Sequence, residues 1–431
     1  MRVLGAAALT AGLLAVPLAS AASFGRAAEI PLARAPVSVA VADANQDGIE
    51  DLVIADATAP ALTVLPGKED GSFEQPLDLS GPSPRSLAVA DFDGDGSDDL
   101  AVAGRGEITI YVGAGGALSR RTTLSAPSAS TVIATDLDLD GNYDLVAAST
   151  SRAAVTVFMG ADDGTFLPGQ DFATNSPPAA LFSADLNGDD IPDLVTGGKG
   201  VSALIGNGDG TLGPPQVVSE VAGTTAITGS DFDGDGAVDL ALARTPNIVD
   251  VLHNAGDGNF VSSTLYRVGA TPSAIGATFV DPDSNHDLVT ANRGTNNLSI
   301  LPGLDDGQFG PQQRVKVGKA PVALAIVDLN ADGIDDVVTA NRLAKSVTVL
   351  LNGADAPQPV VCLVPRAVHR TLAVARRLVA AGHCKVASVR RTYSRRVKKG
   401  KVISVTPVPG TRRPVDTPVT LLVSRGRKPR R

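Results

Sequence analysis

A mainly β protein is the fold class this sequence predicts: a seven-bladed β-propeller followed by a small α+β domain at the C-terminus. Three observations predict it. An acidic ten-residue phrase recurs seven times in the 431 residues, each copy lies between short apolar runs, and Gly 45 with Pro 29 supplies turns rather than long helices. Apolar residues make up 43% and charged residues 19%, enough for a packed core and too little charge for a chain disordered throughout. Aromatics are 3% and Trp is absent, which weighs against functions that need a wall of stacking rings.

The phrase is clearest from Asp91 to Leu100. It recurs from Asp43 to Leu52, Asp136 to Leu145, Asp185 to Leu194, Asp231 to Leu240 and Asp328 to Val337, with a shortened copy from Asp281 to Leu288. The leading aspartates stand 48, 45, 49, 46, 50 and 47 residues apart. A small apolar strand precedes the loop, as in Ser86 to Ala90 and Val322 to Ile326, and a second follows it, as in Asp51 to Ala55. A third comes next, such as Leu62 to Leu65, then a turn and a more polar fourth segment. The turn reads Asp-Gly-x-Phe at Asp70 to Phe73, Asp163 to Phe166, Asp257 to Phe260 and Asp306 to Phe309. Four short strands per unit match one propeller blade. The small residues of the first strand suit the crowding where blades converge on a channel.

The ends of the repeat region suggest closure. Each turn Phe precedes the next leading Asp by 18 to 21 residues, and Phe24 precedes Asp43 by 19. The segment around Phe24 therefore looks like a fourth strand without a blade, while the seventh repeat ends near Asn352 without one. The N-terminal strand is expected to complete the last blade and remove an open edge. An open solenoid is the alternative.

The loops predict a metal. Each offers side-chain oxygens at positions 1, 3, 5 and 9 and a backbone carbonyl at position 7. The expected ligands are Asp43, Asn45, Asp47, Ile49 and Asp51 in the first copy, and Asp91, Asp93, Asp95, Ser97 and Asp99 in the second. They are Asp136, Asp138, Asp140, Asn142 and Asp144 in the third, and Asp185, Asn187, Asp189, Ile191 and Asp193 in the fourth. In the fifth they are Asp231, Asp233, Asp235, Ala237 and Asp239, and in the seventh Asp328, Asn330, Asp332, Ile334 and Asp336. The sixth copy is two residues short (Asp281, Asp283, Asn285, Asp287) and is a seventh, weaker candidate. All donors are hard oxygens, which favours Ca2+ over a soft metal, and mutual repulsion of the carboxylates argues for a cation. Gly at position 6 permits the bend, and the fourth copy has Asp190 there. The loop is not an EF-hand: position 12 of the second copy is Val102, and strands flank it. Affinity is expected on the order of 10⁻⁴ to 10⁻³ M, as for extracellular modules.

These loops, with their Asp-Gly-x-Phe turns, resemble the FG-GAP/VCBS repeats of integrin-α-type β-propellers over roughly residues 23–355. The resemblance implies calcium ions bracing the blade hairpins and ring faces that bind other molecules, the ligand here being unknown.

Composition changes after Pro357 to Pro359. From Cys362 to Arg431 there are 19 Lys and Arg against one acid, Asp416, so this part carries +18 while the rest carries −27 of the net −9. Residues 356–361 read as a linker, 362–426 as a domain and 427–431 as a basic tail. Thr371 is positioned to cap a helix to Ala381, with Leu372, Ala375, Leu378 and Val379 on one face, and strands are expected over 387–393, 402–407 and 418–423. Cys362 and Cys384 are the only cysteines and should pair in an exported chain, the alternative being two buried thiols. The phrases Val364-Pro365, Leu372 to Ala375, Gly400 to Ser404, Pro407 to Thr411 and Pro418 to Leu421 resemble a PASTA domain. That resemblance implies an association with cell-wall peptidoglycan. The cationic residues Arg390, Arg391, Arg395, Arg396, Lys398, Lys399, Lys401, Arg412 and Arg413 suit a polyanion, or are simply a solvated face. With only Tyr393 to stack on a base, nucleic acid is not an expected partner.

Residues 1–22 read as a secretory signal peptide: Arg2, an apolar run from Val3 to Leu18, then Ala19-Ser20-Ala21 before the cut. An N-terminal anchor is the alternative, but the run is shorter than the ~20 residues a span requires. No membrane span is expected elsewhere, and a secreted, cell-wall-associated location follows. No catalytic constellation stands out, and the four His (His253, His286, His369, His383) are scattered. The expected function is a calcium-binding adhesion module, not an enzyme. A polysaccharide-acting hydrolase or lyase, or a lectin, is the alternative.

Overall fold

In this computed structural model the described residues are 24–427, apart from 26, 57–60, 105, 128, 282, 284, 305, 354–360, 366, 369, 382–383, 395, 410 and 415–416. The expected signal peptide, most of the linker and the end of the basic tail lie outside them, as do His369 and His383. The fold is mainly β, built of four-stranded antiparallel sheets in the manner of a propeller.

The first sheet runs in order through Pro36–Ala42, Asp51–Asp56, Ala61–Leu65 and Leu77–Ser80. The same meander repeats from Ser86–Ala90 to Ala117–Ser125, from Thr131–Thr135 to Gln170–Ala173, and from Ala180–Ala184 to Gln216–Ser219. It continues from Thr224–Ser230 to Phe260–Arg267 and from Pro272–Thr278 to Gln313–Lys316. The last such sheet takes Pro321–Val327, Asp336–Asn341 and Ser346–Leu350 from the seventh repeat and Ala28–Pro31 from the start of the chain. Ala28 pairs with Val349 and Pro31 with Ser346, and Phe24 bridges to Asn352.

Burial explains the strand compositions. The second strand of each sheet is covered on both faces, so Asp51–Asp56, Asp99–Ala103 and Asp336–Asn341 are buried throughout and read as apolar runs after the leading Asp. The fourth strand is an outer edge, and Leu77–Ser80 and Gln170–Ala173 are largely exposed. Sheets pack face to face. Val53, Ala55 and Leu62 of the first meet Leu100, Val102 and Tyr111 of the second, and similar cores separate each following pair. Val338, Ala340 and Val347 of the last sheet form a core with Leu52, Ile54 and Leu65 of the first.

The Asp-Gly-x-Phe turns stitch one sheet to the previous one. The turn Phe166 packs edge-on against Phe92, the second residue of the preceding acidic loop, with centroids 5.5 Å apart. Phe309 meets Phe232 in the same way at 5.4 Å. The turn glycine is needed because Gly164 has φ of +71° and a Cβ there would stand 2.9 Å from the Cβ of Asp93.

Among its described residues the C-terminal domain has one helix, Leu372–Ala381, against a three-stranded sheet ordered Lys385–Thr392, Pro418–Ser424, Val402–Thr406. The first pair is parallel and the second antiparallel. Thr371 Oγ1 accepts the Val374 N–H at 3.3 Å, the expected cap. Ala375 and Val379 are fully buried against Val402, Val419 and Leu421. A further short pair, Val361–Leu363 with Arg412–Pro414, was not anticipated from the sequence. Cys362 and Cys384 form the disulfide.

Candidate metal site

The acidic loops build themselves from one pattern of hydrogen bonds. At position 1, the carboxylate accepts the N–H of position 6: Gly48 to Asp43, Gly96 to Asp91, Gly141 to Asp136, Asp190 to Asp185, Gly236 to Asp231 and Gly333 to Asp328, all between 2.7 and 3.0 Å. At position 3, the side-chain oxygen accepts the N–H of position 5, whether Asp (Asp93, Asp138, Asp233) or Asn (Asn45, Asn187, Asn330). At position 5, Asp47, Asp95, Asp140, Asp189, Asp235 and Asp332 accept the N–H of Ile49, Ser97, Asn142, Ile191, Ala237 and Ile334. Successive amides thus hold the side chains of positions 1, 3 and 5 against the bend of the loop. Position 6 is left-handed in every full copy, including Asp190 at φ +66° where the others have Gly.

Position 9 has a second task that sequence reasoning missed. Asp51, Asp99, Asp144, Asp193, Asp239 and Asp336 are fully buried at the start of the second strand. One oxygen accepts the N–H of loop position 2, as from Ala44 to Asp51 at 3.1 Å and Phe92 to Asp99 at 2.7 Å. The other accepts an N–H from the end of the third strand or just after it, as from Gly67 to Asp51 at 2.7 Å and Asn352 to Asp336 at 2.7 Å. The residue ties the loop to two strands. The shortened sixth loop keeps this tie, with Asp287 accepting from Val280 at 2.7 Å and Gly303 at 2.8 Å.

Burial crowds these carboxylates out of water. It pushes Asp99, Asp144, Asp287 and Asp336 up to about 7, and Asp136 and Asp328 up to about 6. Burial also raises Asp43, Asp51, Asp91, Asp193 and Asp239. In the second, third and fifth loops three carboxylates bring oxygens within 4.8 Å of one another: Asp91, Asp93 and Asp99; Asp136, Asp138 and Asp144; Asp231, Asp233 and Asp235. Oδ1 of Asp91, a residue 8% exposed, and Oδ1 of Asp136 are buried without a hydrogen-bond partner. A hard divalent cation fits this donor set: it satisfies the orphaned oxygens and offsets the crowded charge.

Two further arrangements were not visible in the sequence. His253, on the strand Ile248–Asn254, puts Nδ1 3.4 Å from Asp239 Oδ2 and 3.7 Å from Asp233 Oδ2. The second signal lies in the C-terminal domain, whose cations reach the second and third loops. Lys401 Nζ donates to the Gly94 carbonyl at 2.9 Å and lies 3.6 Å from Asp91 Oδ2. Arg370 lies 3.5 Å from Asp98. Lys398 Nζ donates to Asn142 Oδ1 at 2.8 Å and pairs with Asp162 at 2.7 Å. Of the expected cationic face, Arg390, Arg391, Arg396 and Lys399 remain exposed. Arg395 and the side chains of Arg412 and Arg413 lie outside the described residues.

Comparisons with known proteins agree with this geometry. The FG-GAP-like repeat family matches residues 43–102, 91–147, 136–196, 185–242 and 231–287. The PASTA domain family matches residues 363–425. No curated protein matches the chain. Among solved structures, the chain is similar to an Agrocybe aegerita lectin described for recognition of non-reducing terminal N-acetylglucosamine, at 19% identity and a TM-score of 0.52, over 72% of this chain and 86% of that one. It is also similar to BBS1N from a complex with ARL6DN, soaked with lead, at 14% identity and a TM-score of 0.57, over 79% of this chain and 99% of that one. Both likenesses are of fold. With the loop phrase, its hydrogen-bond pattern and the family match coinciding, this chain belongs to the FG-GAP-like repeat family and carries a C-terminal PASTA domain.

Proposed function

We propose that this is a secreted binding protein in which a seven-bladed propeller, braced by calcium, is held at the cell wall by its PASTA domain. Ring closure is supported by the pairing of Ala28–Pro31 with Ser346–Leu350 and by the shared core of the last and first sheets. The single observation that supports the calcium reading is the same loop hydrogen-bond pattern in six loops, with carboxylate oxygens converging in three of them and buried oxygens left over in two. Six full loops hold one ion each, and the sixth, lacking two residues, is the weakest candidate. Calcium, when bound, would supply positive charge to the crowded carboxylates of each loop, whose oxygens would hold it. The chain's own part is to hold the position-9 Asp, and with it two strands, in place.

The wall reading rests on the PASTA match and on the excess of positive charge after Cys362. PASTA domains are associated with peptidoglycan-type polymers, and exposed Arg390, Arg391, Arg396 and Lys399 suit an anionic one. Among the described residues no helix is long and apolar enough to cross a membrane. The loop carboxylates serve as ion ligands, so the reading assigns no catalytic role. The test is sedimentation with purified cell wall: the mature chain co-sediments, and the chain lacking 362–431 stays in solution. Equal retention of both would refute the wall assignment, and turnover of a polysaccharide by the protein would refute the non-enzymatic one.

A further inference from the structure

We propose that Lys401 is a tethered stand-in for the divalent cation of the second loop, so that the basic PASTA face docks on its own propeller until calcium displaces it. The inference rests on the calcium reading above.

The second loop is the only full loop whose leading carboxylate meets an ammonium group among the described residues. Lys401 Nζ sits on the Gly94 carbonyl and beside Asp91 Oδ2, within the bend that positions 1 to 6 enclose. The side chains are 15% and 6% exposed, so the contact is sheltered rather than a solvated surface pair. The fit is incomplete: Asp91 Oδ1 stays buried and unpartnered, which is what one ammonium leaves behind in a cage made for more contacts. Arg121 Nη1 lies 3.5 Å from Asp93 and Arg370 3.5 Å from Asp98, so the loop's charge is screened from several sides. An ammonium and a divalent ion a few ångströms apart repel, and they compete for the same Asp91 oxygen.

The rest of the contact moves with Lys401. Lys398 holds Asn142 and Asp162 on the third loop and its turn, and Val374 of the helix lies 3.5 Å from where a Cβ on Gly96 would stand. Leu378 and Pro365 line a crevice with Ile49 and Asn330 of the first and seventh loops. Loss of the Lys401 contact removes the sheltered anchor of this surface. It frees Lys398 and Lys401 for an anionic polymer. Reciprocity then requires that such a polymer, by drawing the module away, tightens calcium at the second loop. The fifth loop, to which no PASTA cation is bonded among the described residues, serves as the internal reference.

The test labels lysines of the full chain with an N-hydroxysuccinimide ester and reads each site by peptide mass spectrometry, with calorimetry of calcium binding on the same sample. Labelling of Lys401 should rise about fivefold between chelator and 10 mM calcium, while exposed Lys399 stays constant. Lys401→Met should tighten one calcium-binding step about tenfold, and Lys399→Met should tighten none. Calcium uptake with unchanged Lys401 labelling, or equal binding curves for the two variants, overturns the proposal and leaves the calcium reading standing. No calcium uptake by the chain overturns both.

Discussion

Asp190 shows how much a single residue in these loops is asked to bear. It occupies the left-handed position that glycine fills in the other full copies, at φ +66°, and its side chain is exposed. Asp190→Gly should therefore stabilise the protein by up to ~1 kcal/mol, measured by denaturant unfolding. The buried position-9 aspartates set a pH dependence. Their carboxyl groups are raised to about 7 in the second, third and seventh loops, above the unfolded value of 3.8. A raised folded value means the folded state holds more protons in this window. The associated stability is full below about 4 and lost as pH rises through about 7. Chelated protein should thus melt higher at pH 5.5 than at pH 8, and calcium should flatten that difference. The side-chain types at positions 1, 3 and 5 were legible in the sequence because they act within one loop. The tie made by Asp51 and its equivalents was not, because Gly67, the other end, is 16 residues away and reached only through a hairpin.

Strands and turns follow from local pattern here, and the links between sheets do not. The apolar runs and their four-strand order could be read directly, since each sheet is a meander of neighbours. The Asp-Gly-x-Phe turn was legible as a turn, but its purpose depends on which loop lies opposite. Phe166 packs on Phe92, 74 residues earlier in the chain, and Gly164 leaves room for Asp93. Phe166→Ala should cost ~2–3 kcal/mol, less than a fully buried Phe because the ring is half-exposed. Gly164→Ala should cost ~1–2 kcal/mol from the left-handed backbone and the close Asp93 Cβ. Both are checked by chemical denaturation, and neutral effects would mean the sheets do not lean on these turns. In the C-terminal domain the helix and three strands fell within two residues of expectation. The pair Val361–Leu363 with Arg412–Pro414 escaped because three residues give no periodicity.

At the scale of the whole molecule, charge segregation is the organising fact. The acidic repeats and the basic PASTA domain, −27 and +18, were plain in the sequence, but the contact between them was not. Lys401 and Asp91 lie 310 residues apart and meet only when both domains are folded. The proposed account makes cations a structural part of the wheel rather than an accessory. If each full loop binds with Kd on the order of 10⁻⁴ to 10⁻³ M, 10 mM calcium contributes ~1.4–2.7 kcal/mol per site. Six sites together would dominate the stability of a chain this size. The most direct measurement is the thermal melt of the mature protein in 10 mM calcium and again after complete chelation at pH 8. The account predicts that calcium raises the melting temperature by ~10 °C or more. Superimposed melting curves would contradict it.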